Sequence, residues 1–88
     1  MDLINKFLGQ EINITIYTSD TCTDCQAAKR FFSERGIDVN YKNIAEEKNR
    51  EELKNKHGRM AVPTIIIGDK AILGFVDNKA QIIKLLRL

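Results

Sequence analysis

The two cysteines of the chain lie three positions apart, at the end of one patterned segment and the start of another, and no other feature restricts the fold as much. Residues 12–18, INITIYT, set Ile12, Ile14 and Ile16 against Asn13, Thr15 and Tyr17, the period-two alternation of a β-strand. Thr18-Ser19-Asp20-Thr21-Cys22-Thr23-Asp24-Cys25 follows directly. From Thr23 to Arg35 the apolar Cys25, Ala28, Phe31 and Phe32 share one helical face, Lys29, Arg30 and Glu34 take another, and Gly36 supplies a stop. A strand therefore delivers a dithiol to the beginning of a helix.

The rest of the chain extends this unit. Residues 38–44, DVNYKNI, alternate again, with Val39, Tyr41 and Asn43 on one side, and complete a βαβ unit whose crossover is expected to be right-handed. Residues 46–57 are almost wholly charged, offer Leu53 as their one large apolar contact and stop at Gly58, which predicts a helix laid on the surface. A strand at 63–67, a turn at Gly68-Asp69-Lys70 and a short strand in AILGF, 71–75, form a β-hairpin. A last helix over 78–87, capped by Asp77 or Asn78, is expected to turn Ala80, Ile82, Ile83, Leu85 and Leu86 inward. The order is β-α-β-α-β-β-α. Leu3, Ile4, Phe7 and Leu8 predict a short amphipathic turn in an N-terminal extension, 1–10, ahead of a core over 12–88, and the 88 residues suit one domain.

Lys and Arg total 14 against 12 for Asp and Glu, and no basic cluster interleaves with aromatic residues, so nothing points to nucleic acid. No stretch approaches membrane-spanning length and the N-terminus lacks a secretory pattern, so a cytoplasmic protein is expected. Thiols there stay reduced, and a cysteine pair is more often catalytic or metal-binding than structural.

A metal centre within one chain is disfavoured, because structural zinc takes four Cys or His ligands and only His57 joins the pair. No metal ligand is assigned. A structural staple is disfavoured too, since so short a loop gains little from closure. Redox chemistry fits the geometry. Residues three apart within a helix hold their Cβ atoms about 5–6 Å apart, whereas a disulfide needs about 3.8 Å. Cys22 is therefore expected at the helix N-cap, with Cys25 in the first turn. There the free N–H groups and the positive end of the helix dipole stabilise a Cys22 thiolate and make it the nucleophile. Cys25, on the apolar face, is expected to be buried and to resolve the mixed disulfide.

Asp24 suits the first helical turn, and its charge opposes the Cys22 thiolate, which raises that thiol's pKa and makes the couple more reducing. Asp20 reads as a solvated loop residue. His57 reads as a surface residue near a helix C-terminus, and the lysine-rich face of 48–59 as solvated.

The combination of a strand, Cys-x-x-Cys, a βαβ unit, AVPTIII opening a hairpin and a final helix resembles a glutaredoxin of the thioredoxin fold, over residues 12–88. The resemblance implies an α/β fold with a four-stranded mixed sheet flanked by helices. It implies a thiol-disulfide oxidoreductase acting on protein or glutathione mixed disulfides, with Cys22 and Cys25 catalytic, a cis Val62–Pro63 bond, and substrate contacts at Thr21, Thr23, Arg59, Val62, Pro63, Gly74 and Asp77. It also implies a monomer with no tightly bound cofactor and with glutathione as co-substrate. The chain departs from glutathione-using members in three places. A basic residue before the first cysteine is replaced within Ser19-Asp20-Thr21, the proline of Cys-Pro-x-Cys is Thr23, and Leu73-Gly74-Phe75-Val76-Asp77 replaces a Gly-Gly, small residue, Asp pattern. Losing a cation and gaining Asp20 disfavours a small dicarboxylate thiol, although Arg59 and the start of the last helix each offer a carboxylate a place. Gly74-Phe75 instead resembles the redoxins that feed ribonucleotide reductase and are recharged by a thioredoxin-reductase-type flavoprotein. Two further alternatives are a module in which two copies share an iron-sulfur cluster through Cys22 and glutathione, and a redox sensor that docks its partner in one oxidation state.

Overall fold

The structure, a computed structural model, describes residues 13–88. Its elements are β1 (Ile14–Thr18), α1 (Thr23–Glu34), β2 (Asn40–Asn43), α2 (Glu47–His57), β3 (Thr64–Ile67), β4 (Lys70–Leu73), a 3-10 turn at Val76–Asn78 and α3 (Lys79–Leu86). The expected N-terminal turn around Leu3, Ile4, Phe7 and Leu8, and Ile12 at the start of the first strand, lie outside the described residues.

The four strands form one mixed sheet in the order β2-β1-β3-β4. β1 runs parallel to β2 and antiparallel to β3, and β3 and β4 form the hairpin. This is the expected thioredoxin-like arrangement. One face of the sheet carries Ile14, Ile16, Ile65, Ile67 and Ile72 onto Ala28, Phe31 and Phe32 of α1, Phe75, and Ile82 of α3. Each isoleucine or phenylalanine among them contributes about 1.5–3 kcal/mol when fully buried.

The opposite face is covered as well, which strand alternation alone does not reveal. Tyr17 is 2% exposed, packs its ring 5.6 Å from that of His57 and donates its hydroxyl to Glu52 Oε1 at 2.8 Å. His57 is thus half-buried against the sheet rather than a free surface group. Glu52 also accepts from Lys42 Nζ at 2.6 Å, while Leu53 is fully buried as the apolar anchor of α2. Asn49, also buried, donates to the Asn43 carbonyl at 3.0 Å and ties the helix to the end of β2. Gly58, with φ +67°, closes α2 in the left-handed conformation that glycine adopts without a Cβ penalty.

Burial and the Glu52 carboxylate push the Tyr17 phenol up from 10.0 to about 12, and the Lys42 and Tyr17 hydrogen bonds hold Glu52 below the usual carboxylate range. Between those two values the unfolded chain has lost the Tyr17 proton and the folded chain retains it, so stability falls as pH rises from about 10 to about 12. Tyr17→Phe removes this loss. In urea unfolding across that window the wild type is expected to lose stability relative to Tyr17→Phe, and a constant difference between them would refute the coupling.

The C-terminal helix differs from expectation at its start. Neither Asp77 nor Asn78 caps it with a side chain; the 3-10 turn runs into α3, and the Asn78 side chain is engaged elsewhere. Ile82 is buried and Ile83, Leu85 and Leu86 are half-buried, but Ala80 is exposed, because the buried stripe is set by Ile82 against Phe75 and the sheet.

Candidate active site

The site begins where β1 ends. Cys22 has extended backbone angles, φ −92° and ψ 111°, and is the N-cap of α1. Its Sγ accepts the Cys25 N–H at 3.1 Å, so a first-turn donor that the helix leaves unpaired is directed at this sulfur. Cys22 is partly exposed and Cys25 is fully buried on the apolar face. The two are joined as a disulfide with Cα atoms 5.2 Å apart. A helix N-terminus is where a thiolate is favoured in general, and Cys22 is the sulfur placed there.

Sheet register brings the second wall to the same end. Tyr17 is opposite Thr64, and Thr64 opposite Leu73, so Pro63 lies beside Thr18 and Gly74 beside Pro63. Gly74 N–H donates to the Pro63 carbonyl at 2.9 Å, and Thr64 Oγ1 donates to the Ala61 carbonyl at 2.7 Å, shaping the approach to the strand. The Val62–Pro63 bond is cis, as expected.

Asp24 joins the two walls. Its Oδ2 accepts the Phe75 N–H at 2.9 Å and its Oδ1 the Val76 N–H at 3.0 Å, more than fifty positions along the chain. From the other side the Asn78 Nδ2 donates to the Leu73 carbonyl at 2.7 Å and to the Gly74 carbonyl at 3.0 Å. Gly74 makes the turn between them at φ +95°, where a Cβ would be strained. Phe75 then points into the core, 5.3 Å from Phe31 and 6.3 Å from Phe32 between ring centroids.

Of the residues singled out in the sequence, Cys22, Cys25, Asp24, Val62, Pro63 and Gly74 gather at this end of the sheet. Thr21 and Thr23 flank Cys22 and are exposed. Asp77 is exposed one position beyond Val76, and Arg59 follows the cap of α2. Among the described residues no hydrogen bond or ion pair connects Arg59 or Asp77 to the cysteines. Asp20 is not simply solvated: its Oδ1 accepts from Asn43 Nδ2 at 2.8 Å, fastening the loop before Cys22 to the end of β2. Asn78 was missed as a site residue; its sequence signal, an amide at the start of a helix, reads as a cap. Among the described residues no group of three or more His, Cys, Asp or Glu side chains is placed to hold a metal ion, and no helix is long and apolar enough to cross a membrane.

Residues 14–72, which include β1, the cysteine pair and most of the hairpin, match the glutaredoxin family model. The chain belongs to the glutaredoxin family. It is a thiol-disulfide oxidoreductase with a redox-active Cys-x-x-Cys pair. This glutaredoxin is 38% identical over 74 residues to an uncharacterised glutaredoxin-like protein of the rubredoxin operon of Clostridium pasteurianum, covering 83% of the chain and 96% of the relative. It is 34% identical over 64 residues to the glutaredoxin-like protein NrdH of Escherichia coli, covering 73% and 79%. Among solved structures, the glutaredoxin of Archaeoglobus fulgidus superposes with a TM-score of 0.70 at 26% identity, covering 96% of this chain and 95% of that one.

Proposed function

We propose that this glutaredoxin reduces protein disulfides and glutathione mixed disulfides, with Cys22 as nucleophile and Cys25 as resolver. The observation that carries the assignment is the division of the sulfurs: Cys22 is partly exposed at the N-cap with an N–H directed at it, and Cys25 is fully buried. The Cys22 thiolate attacks one sulfur of the substrate disulfide, and the other sulfur leaves as a thiolate that takes a proton. Cys25 then gives up its proton and attacks the Cys22 sulfur, releasing the second substrate thiol. Two electrons pass to the substrate and the Cys22–Cys25 disulfide remains.

On this reading the wall formed by Val62, Pro63 and Gly74 lies along the substrate chain, Thr21 and Thr23 border it, and Arg59 and Asp77 supply outlying polar contacts. The protein works as a cytoplasmic monomer with no tightly bound cofactor. Its electron donor is glutathione, used weakly. A second reading, recharging by a thioredoxin-reductase-type flavoprotein, is favoured by Gly74-Phe75 before the last helix and by the likeness to NrdH.

The test supplies oxidised protein with NADPH and either glutathione plus glutathione reductase or thioredoxin reductase. NADPH consumption is expected in both, with the glutathione arm requiring high concentrations. If neither system reduces the protein, the donor assignment fails.

A further inference from the structure

Asp24 places both carboxylate oxygens on one feature. Oδ2 takes the Phe75 N–H at 2.9 Å and Oδ1 the Val76 N–H at 3.0 Å, so two consecutive main-chain donors converge on a single carboxylate. Successive N–H groups turned to the same side form a concave anion-binding element, and here it is seen to take a carboxylate. The element is held in place independently of Asp24, through the Gly74 N–H on the Pro63 carbonyl and the Asn78 amide on the Leu73 and Gly74 carbonyls. It also borders the redox pair, because Asp24 lies inside the Cys22–Cys25 loop. Gly74, at φ +95°, makes the turn that presents the two N–H groups.

Glutathione carries two carboxylates, and a small thiol gains affinity near Cys22 by placing one on exposed N–H donors. A carboxylate already mounted on the first turn of α1 competes as an intramolecular group, whose effective concentration is millimolar or higher before any benefit of rigidity. We propose that Asp24 is a specificity-determining residue, an internal carboxylate that fills the Phe75 and Val76 amide pair and thereby excludes the carboxylate of a small free thiol. Glutathione is thereby weakened as a partner of the cysteine pair, whereas protein disulfides, which do not depend on that donor pair, are not. Val76, 61% exposed beside it, adds an apolar contact suited to a protein surface rather than to a charged tripeptide. The proposal rests on the dithiol reading above and refines its substrate class.

The experiment uses the full oxidised chain and S-methylglutathione, whose blocked sulfur cannot exchange with the disulfide. Amide resonances are followed by NMR, and a diester of the probe with both carboxylates masked serves as the control. In the wild type the Phe75 and Val76 amides are expected to stay unmoved at millimolar probe. In Asp24→Ala they move saturably, with affinity tighter by about tenfold or more, the scale of one charge-assisted hydrogen bond, and the diester moves neither. Should Asp24→Ala fail to fold, Asp24→Asn retains one acceptor oxygen and is expected to show a smaller gain in the same direction. Saturable movement of the two amides in the wild type, or a folded variant that binds no tighter than the wild type, overturns the proposal. Reduction of insulin disulfides by the dithiothreitol-charged wild type is measured alongside. If insulin is reduced but the variants gain no affinity, the exclusion fails alone; if the variants gain affinity but the wild type cannot reduce insulin, the dithiol reading fails alone.

Discussion

Cys25→Ser is expected to halt the reaction at a covalent intermediate, with one substrate chain held on Cys22. The expectation follows from the unequal placement of the sulfurs. Cys22 is the partly exposed N-cap and accepts the Cys25 N–H, so on the proposed mechanism it makes the first attack whatever occupies position 25. Cys25 is fully buried and supplies only the second attack. Without glutathione to substitute for it, turnover of a protein disulfide falls to background, and mass spectrometry finds the adduct on Cys22. Cys22→Ser is expected to be equally inactive and to form no adduct. Burying a serine hydroxyl at position 25 costs about 1–3 kcal/mol if it finds no partner, so Cys25→Ala is the companion variant. Adduct formation by Cys22→Ser through Cys25 would reverse the assignment of attacker and resolver.

Phe75→Ala is expected to be the most destabilising single change near the site. Its ring is 3% exposed and lies between Phe31, Phe32 and the sheet. Truncation of a buried phenylalanine costs about 3–5 kcal/mol, and a domain of this size shifts its Tm by about 4–8 °C per kcal/mol, so a fall of well over 10 °C is expected. The loss extends beyond packing. The same residue supplies one of the two N–H groups held by Asp24, so loosening the ring loosens the wall beside the cysteines. Val76→Ala, one position along and exposed, is expected to change Tm by no more than a few degrees. Thermal unfolding of the two variants compares them directly, and equal effects would show that Phe75 does not anchor the loop.

The parts of the molecule legible in the sequence are those governed by local pattern. Strand alternation around Ile14 and Ile16, the face formed by Cys25, Ala28, Phe31 and Phe32, and the stop at Gly58 each report on a few neighbouring residues. Their order leads to the mixed sheet. The N-cap position of Cys22 also followed, from the separation a disulfide requires. What sequence reading missed is long-range polar pairing. Asp24 resembles an ordinary first-turn acid, and nothing nearby discloses that its oxygens meet Phe75 and Val76. Asn78 resembles a helix cap and does stand at the N-cap of α3, but its amide serves the carbonyls of the preceding turn instead of the helix end. Tyr17 sits on the polar side of an alternating strand, yet it is buried because α2 covers that face, an outcome set by tertiary packing.

The strand order β2-β1-β3-β4 bears on when the reactive centre comes into being. β1, α1 and β2 are contiguous and can associate early, and the β3–β4 hairpin can close on its own short turn. The β1–β3 pairing joins these two halves across a long stretch of chain, and such non-local closure carries the larger entropic cost and is reached later. Until that seam is made, Cys22 and Cys25 face neither Pro63 nor the Phe75 turn. The dithiol is present from the outset of folding, whereas the walls beside it come together only when the seam closes.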